Sequence, residues 1–126
     1  MIFGIGTDII VVARMAEFHE RHGERALEKV LAPAERDACR ASSDPARFLA
    51  KRFAAKEALG KALGTGVRTP VLLPSIAIVH DALGKPDFEF GEKLAAYIAE
   101  RRIVTHLSLS DERDYVVAFV IAERRE

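Results

Sequence analysis

The sequence predicts an α+β fold, with a strand first, helices through the middle and antiparallel strands forming a small sheet at the end. Three observations predict it. Ile2 to Val12 is β-branched and glycine-rich, and Phe48 to Gly66 (FLAKRFAAKEALGKALGTG) has the length and spacing of one long helix. Toward the C-terminus, Val104 to Ser110 and Tyr115 to Glu123 read as two strands joined by the polar loop Asp111 to Asp114.

At 126 residues the chain has the length of one domain, able to bury a core yet small enough to favour oligomeric partners. Nineteen basic residues balance nineteen acidic ones, so bulk electrostatic attraction to nucleic acid is not expected. A charged partner must meet a local patch. The single Cys39 leaves no internal disulfide and fits a reducing, cytoplasmic setting. The apolar segment Met1 to Val12 lacks a basic leader and is too short to span a bilayer, so no membrane association is expected. No repeat, low-complexity tract or linker interrupts the chain.

In the first strand, Phe3, Ile5, Thr7, Ile9 and Val11 share the face suited to a core, and Gly4, Gly6 and Asp8 share the other. Two glycines beside Asp8 imply open space there. Asp8 also suits a helix N-cap, but the β-branched run after it disfavours a helix start at Ile9. From about Ala13 the spacing is helical. An unbroken helix would align Arg14, Arg21 and Arg25 beside Phe18, with Glu17, Glu20, Glu24 and Glu28 on the adjacent stripe. That face is either solvated or a docking surface, and Gly23 is placed to break it. A short helix from Pro33 to about Arg40 ends at the Ser42-Ser43-Asp44-Pro45 break.

Asp44 suits the cap of the long helix, Pro45 its first turn, and Gly64-Thr65-Gly66 its stop. At about 100° per residue, Glu57 and Lys61 share a sector with Ala50, Phe53, Ala54, Gly60 and Gly64. Phe48, Ala55, Leu59 and Ala62 occupy the opposite sector, so both sides are expected to be buried. Glu57 and Lys61 then form either an i,i+4 ion pair or an active site with small neighbours that leave room for a ligand. Beyond Gly66, a loop carrying Arg68, Pro70 and Pro74 leads to a strand, Ser75 to His80, the Leu83-Gly84-Lys85-Pro86 turn and a strand, Asp87 to Phe90. Glu92 to Arg102 is helical. In the next strand His106, Ser108 and Ser110 share one face, where His106 is either a half-buried strand residue or a phosphate contact and proton carrier.

Four ordered segments together resemble one family: GIGTDII (Gly4 to Ile10), FLAKRFAAKEALGKALGTG, LGKP (Leu83 to Pro86) and HLSLSDERDYVVAFVI (His106 to Ile121). They are similar to the holo-[acyl carrier protein] synthases, the small 4′-phosphopantetheinyl transferases. The resemblance implies that family's fold and transfer of the phosphopantetheine arm of coenzyme A to a serine of apo-acyl carrier protein, as fatty acid biosynthesis requires. It further implies dependence on Mg²⁺, release of adenosine 3′,5′-bisphosphate, and a homotrimer with active sites between subunits. By the same resemblance, Asp8 and Glu57 are the expected metal ligands, Lys61 the group beside the transferred phosphate, and His106 a contact to the coenzyme's phosphates. Arg14 and Arg21, with Phe18 and Arg25, are expected to receive the carrier.

Mg²⁺ takes one or two carboxylates plus phosphate oxygens and water, which two carboxylates with small neighbours satisfy. No Cys/His cluster offers a zinc site. The carrier's serine must lose a proton, to Glu57 directly or through a metal-bound water, with His106 as runner-up. Lys51, Arg52, Arg68, Lys85 and Pro86 are candidate contacts for the coenzyme's 3′-phosphate or adenine side. The amides of Gly64, Thr65 and Gly66 are candidate phosphate donors. This chain has Leu72, Leu73, Pro74 and Ser75 where the family often has aromatic and acidic or amide side chains, and Ser110 or Asp111 where some members have a second histidine. The competing classes are a coenzyme A pyrophosphate hydrolase and a non-catalytic carrier-binding module.

Overall fold

A computed structural model describes residues Met1–Glu126. The elements run β1 (Ile2–Val11), α1 (Val12–His22), α2 (Glu24–Val30), α3 (Pro33–Ala41), α4 (Pro45–Leu63), β2 (Ile76–His80), β3 (Pro86–Phe90), α5 (Glu92–Glu100), β4 (Ile103–Asp111) and β5 (Tyr115–Arg124). The strands form two antiparallel sheets: a three-stranded one ordered β1-β5-β4 and a separate two-stranded ribbon of β2 and β3. Ser75 lies in a short 3-10 turn, Leu73–Ser75, rather than in the strand. Gly23, at φ 56°, divides the first helical region into α1 and α2, so no continuous stripe joins Arg14 and Arg21 to Arg25.

Helix α4 lies across the three-stranded sheet. The Asp44 carboxylate accepts the Arg47 N–H at 3.1 Å, Pro45 fills the first turn, and Gly64 ends the helix in the left-handed region at φ 79°. Leu49, Ala50, Ala54, Ala55, Ala58 and Leu59 are fully enclosed, which confirms a helix buried on both sides.

The packing reverses the expected sidedness of β1. Gly4 and Gly6 face α4, and a Cβ on either would overlap the carbonyl oxygen of Ala62 or Ala58. These glycines therefore leave no open space beside Asp8; helix backbone fills it. Gly60 is filled in the same way by the backbone of Gly66. The opposite face of β1 is outside: Ile5 and Ile9 are each 61% exposed, and Phe119 on β5 is 41% exposed. In register, Ile9 pairs with Val117, Thr7 with Phe119 and Ile5 with Ile121. Alternation shows that a strand has two different faces, but only the requirement for close helix approach decides which one turns inward.

Candidate active site

Asp8 and Glu57 meet between β1 and α4, with Lys61 reaching across. Lys61 Nζ donates to the Thr7 carbonyl at 2.9 Å and to Asp8 Oδ1 at 3.1 Å. The lysine therefore pairs with the strand, not with Glu57 one turn away, and of the two readings of these residues the i,i+4 ion pair does not form. Asp8 Oδ2 is buried and has no hydrogen-bond partner. Burial raises the Glu57 carboxyl above its ordinary pKa; the Asp8 charge adds to the shift and Lys61 opposes it. Two carboxylates thus share one lysine, leaving an excess negative charge and an orphaned buried oxygen. That donor set fits a hard divalent cation completed by substrate oxygens and water. No group of three or more His, Cys, Asp or Glu side chains forms a closed metal cage.

The other expected site residues are dispersed. His106 stands on the sheet face away from Asp8, paired with Ile121 and opposite Leu107, which points inward. Its Nε2 lies 3.1 Å from Glu123 Oε1, and this contact holds the Glu123 carboxyl below its usual range. Within one chain, His106 and the Asp8 cluster cannot act on the same atom. Lys51 Nζ is 3.7 Å from Asp111 Oδ1, and Arg47 grips the same loop through Asp111 Oδ2 at 3.0 Å and the Glu112 and Arg113 carbonyls, each at 2.7 Å. Asp111 therefore anchors the β4–β5 loop, and neighbouring Ser110 is exposed on the outer face.

The Gly64, Thr65 and Gly66 amides are already used. They donate to Lys61 O at 3.1 Å and to Gly60 O at 3.2 and 3.0 Å, which closes α4 and removes them as phosphate donors. Lys85 and Pro86 follow a tight turn in which Asp81 Oδ1 accepts the Leu83 and Lys85 amides, each at 2.9 Å. The Lys85 side chain is free of ion pairs and exposed. Arg68 is also exposed, and its carbonyl accepts the Val71 N–H at 2.6 Å. Arg14 lines an apolar cavity of about 350 Å³ with Ile10, Met15, Phe18, Val30 and Phe53 among its walls. Arg21 and Arg25 border separate, polar depressions.

Arg52 is a structural cation instead of an open coenzyme contact. Its guanidinium lies over the Phe48 ring at 4.4 Å, and its Nε is 3.1 Å from Glu35 Oε2 in a charge contact outside hydrogen-bond alignment. Glu35 and Lys56, which sequence reasoning did not single out, complete this cluster. Lys56 Nζ donates to Glu35 Oε1 at 2.6 Å and to the Val30 carbonyl at 2.7 Å. Burial lowers the Lys56 pKa to about 8 against the opposing charge of Glu35. A signal was present: Lys56 interrupts the apolar spacing of Leu49, Leu59 and Leu63, and Glu35 sits at the third position of α3.

The fold and the carboxylate pair define a class, and comparison with known proteins agrees. Residues 4–120 match the 4′-phosphopantetheinyl transferase superfamily, and the chain belongs to that family. Its similar relatives include a holo-[acyl-carrier-protein] synthase of Azoarcus sp. (strain BH72), 62% identical over 99% of this chain and 100% of the relative. The crystal structure of the holo-[acyl-carrier-protein] synthase from Neisseria meningitidis superposes with a TM-score of 0.95 at 46% identity, covering 98% of this chain and 100% of that one. The Bacillus anthracis synthase in complex with CoA (3′,5′-ADP) superposes with a TM-score of 0.83 at 33% identity, covering 99% of each chain.

Proposed function

We propose that this protein acts as a holo-[acyl carrier protein] synthase, transferring 4′-phosphopantetheine from coenzyme A to a serine of apo-acyl carrier protein for fatty acid biosynthesis. The observation that carries this reading is full-length kinship, 62% identity over 99% of the chain to a synthase. The assembled Asp8–Glu57–Lys61 cluster supplies the chemistry.

In the transfer, the serine Oγ attacks the pantetheine-side phosphorus of the coenzyme's pyrophosphate. The bond from that phosphorus to the bridging oxygen breaks, and adenosine 3′,5′-bisphosphate leaves. Asp8 and Glu57 are the residues that would hold Mg²⁺, which when bound neutralises charge on the pyrophosphate. Lys61, fixed on Asp8 and the Thr7 carbonyl, presents its ammonium beside the same group. The raised Glu57 carboxyl is our choice to accept the serine proton, since its basicity is moved toward neutral pH.

His106 reaches the coenzyme's phosphates from a neighbouring subunit in this reading, because its own sheet face is turned from Asp8. The exposed Ile5, Ile9 and Phe119 face is the surface we assign to a homotrimer. Arg14 and the apolar cavity beside Phe18 receive the acidic carrier, Arg21 adds charge, and Arg25 on α2 lies apart. Lys51 and the Lys85-Pro86 turn contact the adenosine end of the coenzyme. The chain works as one domain in the cytoplasm; no helix is long and apolar enough to cross a membrane.

The test is mass spectrometry of apo-acyl carrier protein incubated with the enzyme, coenzyme A and Mg²⁺. A gain equal to the phosphopantetheine arm is expected. No gain with a competent carrier contradicts the proposal, and adenosine 3′,5′-bisphosphate formed without carrier would make the protein a hydrolase.

A further inference from the structure

Glu35 and Lys56 are the two buried charged residues of the chain. The metal, the phosphate and the carrier leave both unused. Glu35 is 4% exposed, and its carboxylate joins three elements. Oε1 accepts from Lys56 Nζ on α4 at 2.6 Å and from the Ala32 amide at the start of α3 at 2.9 Å. Oε2 accepts the Ile78 amide of β2 at 3.0 Å.

The last bond has a distinct consequence. The β2–β3 ribbon is a sheet of two strands, a unit that is marginal alone and takes its orientation from what it rests on. Ile76, Ile78 and Phe88 give it an apolar seat. Apolar contact is non-directional and lets a ribbon slide. A carboxylate that accepts one edge amide of β2 while locked to α3 and α4 sets the direction. Beyond Ile78 the ribbon ends in the Asp81–Lys85 turn, which is rigid by itself because Asp81 accepts two of its amides. Fixing Ile78 therefore fixes where Lys85 and Pro86 stand.

We infer that Glu35 is a positioning residue for coenzyme A, holding the β2–β3 ribbon so that the Lys85-Pro86 turn meets the coenzyme. This rests on the reading of that turn as a coenzyme contact. Removing Glu35 alone would leave Lys56 buried without its counter-charge and endanger folding. The informative variant therefore removes both hydrogen-bonded charges, Glu35→Leu with Lys56→Met, and leaves Arg52, the third charge on this carboxylate, seated over the Phe48 ring. Steady-state kinetics and amide hydrogen exchange are measured on this variant, on Lys85→Ala and on the unaltered enzyme.

The double variant should keep its cooperative unfolding transition, exchange faster across 76–90, and show KM for coenzyme A raised about tenfold. Its KM for carrier is the control, since Lys56 also bonds the Val30 carbonyl beside the carrier cavity. A rise equal to that for coenzyme A would overturn a role specific to the coenzyme. A merely structural role would move neither KM once the core is repacked. Unchanged KM for coenzyme A in the folded double variant, with Lys85→Ala raised, overturns the role of Glu35. If Lys85→Ala is unchanged as well, the assignment of the turn fails and the inference falls with it.

Discussion

Residues 56 and 57 are neighbours on one helix and sit in opposite kinds of charge cluster. Around Lys56 the carboxylate is fully used: Glu35 accepts from Lys56, Ala32 and Ile78. Val30 offers the ammonium a second acceptor, and Arg52 pairs with the same acid without an aligned hydrogen bond from its Nε. Around Glu57 the account does not close. Asp8 and Glu57 have one lysine between them, Asp8 keeps a buried oxygen without a partner, and Glu57 is driven toward its neutral form. A buried carboxylate with both oxygens partnered ties elements together, whereas one that keeps an orphaned oxygen is held in reserve for something that arrives. The difference separates structure from site more clearly than burial or residue type does.

The largest loss of stability is expected at Lys56. Lys56→Ala leaves Glu35 buried beside Arg52 alone and should lower stability by about 3–5 kcal/mol, read as a fall in the denaturant midpoint. A loss close to that of an exposed pair would make the closed cluster ornamental. A smaller effect separates docking from both clusters. Arg14→Glu should raise KM for the carrier about tenfold in low salt, with the difference shrinking as salt rises. Arg25→Glu, beyond the break at Gly23, should change it by less than about twofold. Equal effects from the two would restore the continuous stripe.

The smallest effect is in the pH dependence of the metal-free protein. Glu57 binds its proton more tightly in the folded state than an ordinary carboxylate, so the folded state holds more protons across the window above the usual carboxylate pKa. Its contribution to stability therefore falls as pH rises through that window. Millimolar Mg²⁺ should offset the fall in melting temperature at neutral pH, by preferential binding to the folded state. A melting temperature indifferent to Mg²⁺ at neutral pH would remove the cation from the open cluster.

Much of this was legible in the residues. The long helix, its Asp44 cap and Gly64 stop follow from local chemistry, and all five strands were located to within a residue or two. The motif residues Asp8, Glu57 and Lys61 do converge. What alternation could not show was the inward face of β1, because the apolar side chains of Ile5 and Ile9 satisfy a core and an intersubunit surface equally well. Gly4 and Gly6 were the available signal, being needed where helix backbone comes too close for a Cβ. Likewise, Arg52 looked like a free cation until its partner arrived from α3, and Lys61 chose a strand carbonyl distant in sequence over the acid one turn away. Tertiary partners decided each of these, and local spacing does not carry them.

The claim that the open cluster serves chemistry at the expense of stability is tested most directly by Glu57→Gln. Turnover and thermal unfolding should be measured on the same preparation. The variant should lose at least about 10²-fold in kcat/KM, since a charge aimed at the reacting group is gone. Its metal-free melting temperature should be unchanged or higher, because the repulsion from Asp8 is relieved. Retained turnover, or a melting temperature that falls together with activity, would place Glu57 with the structural residues and contradict the account.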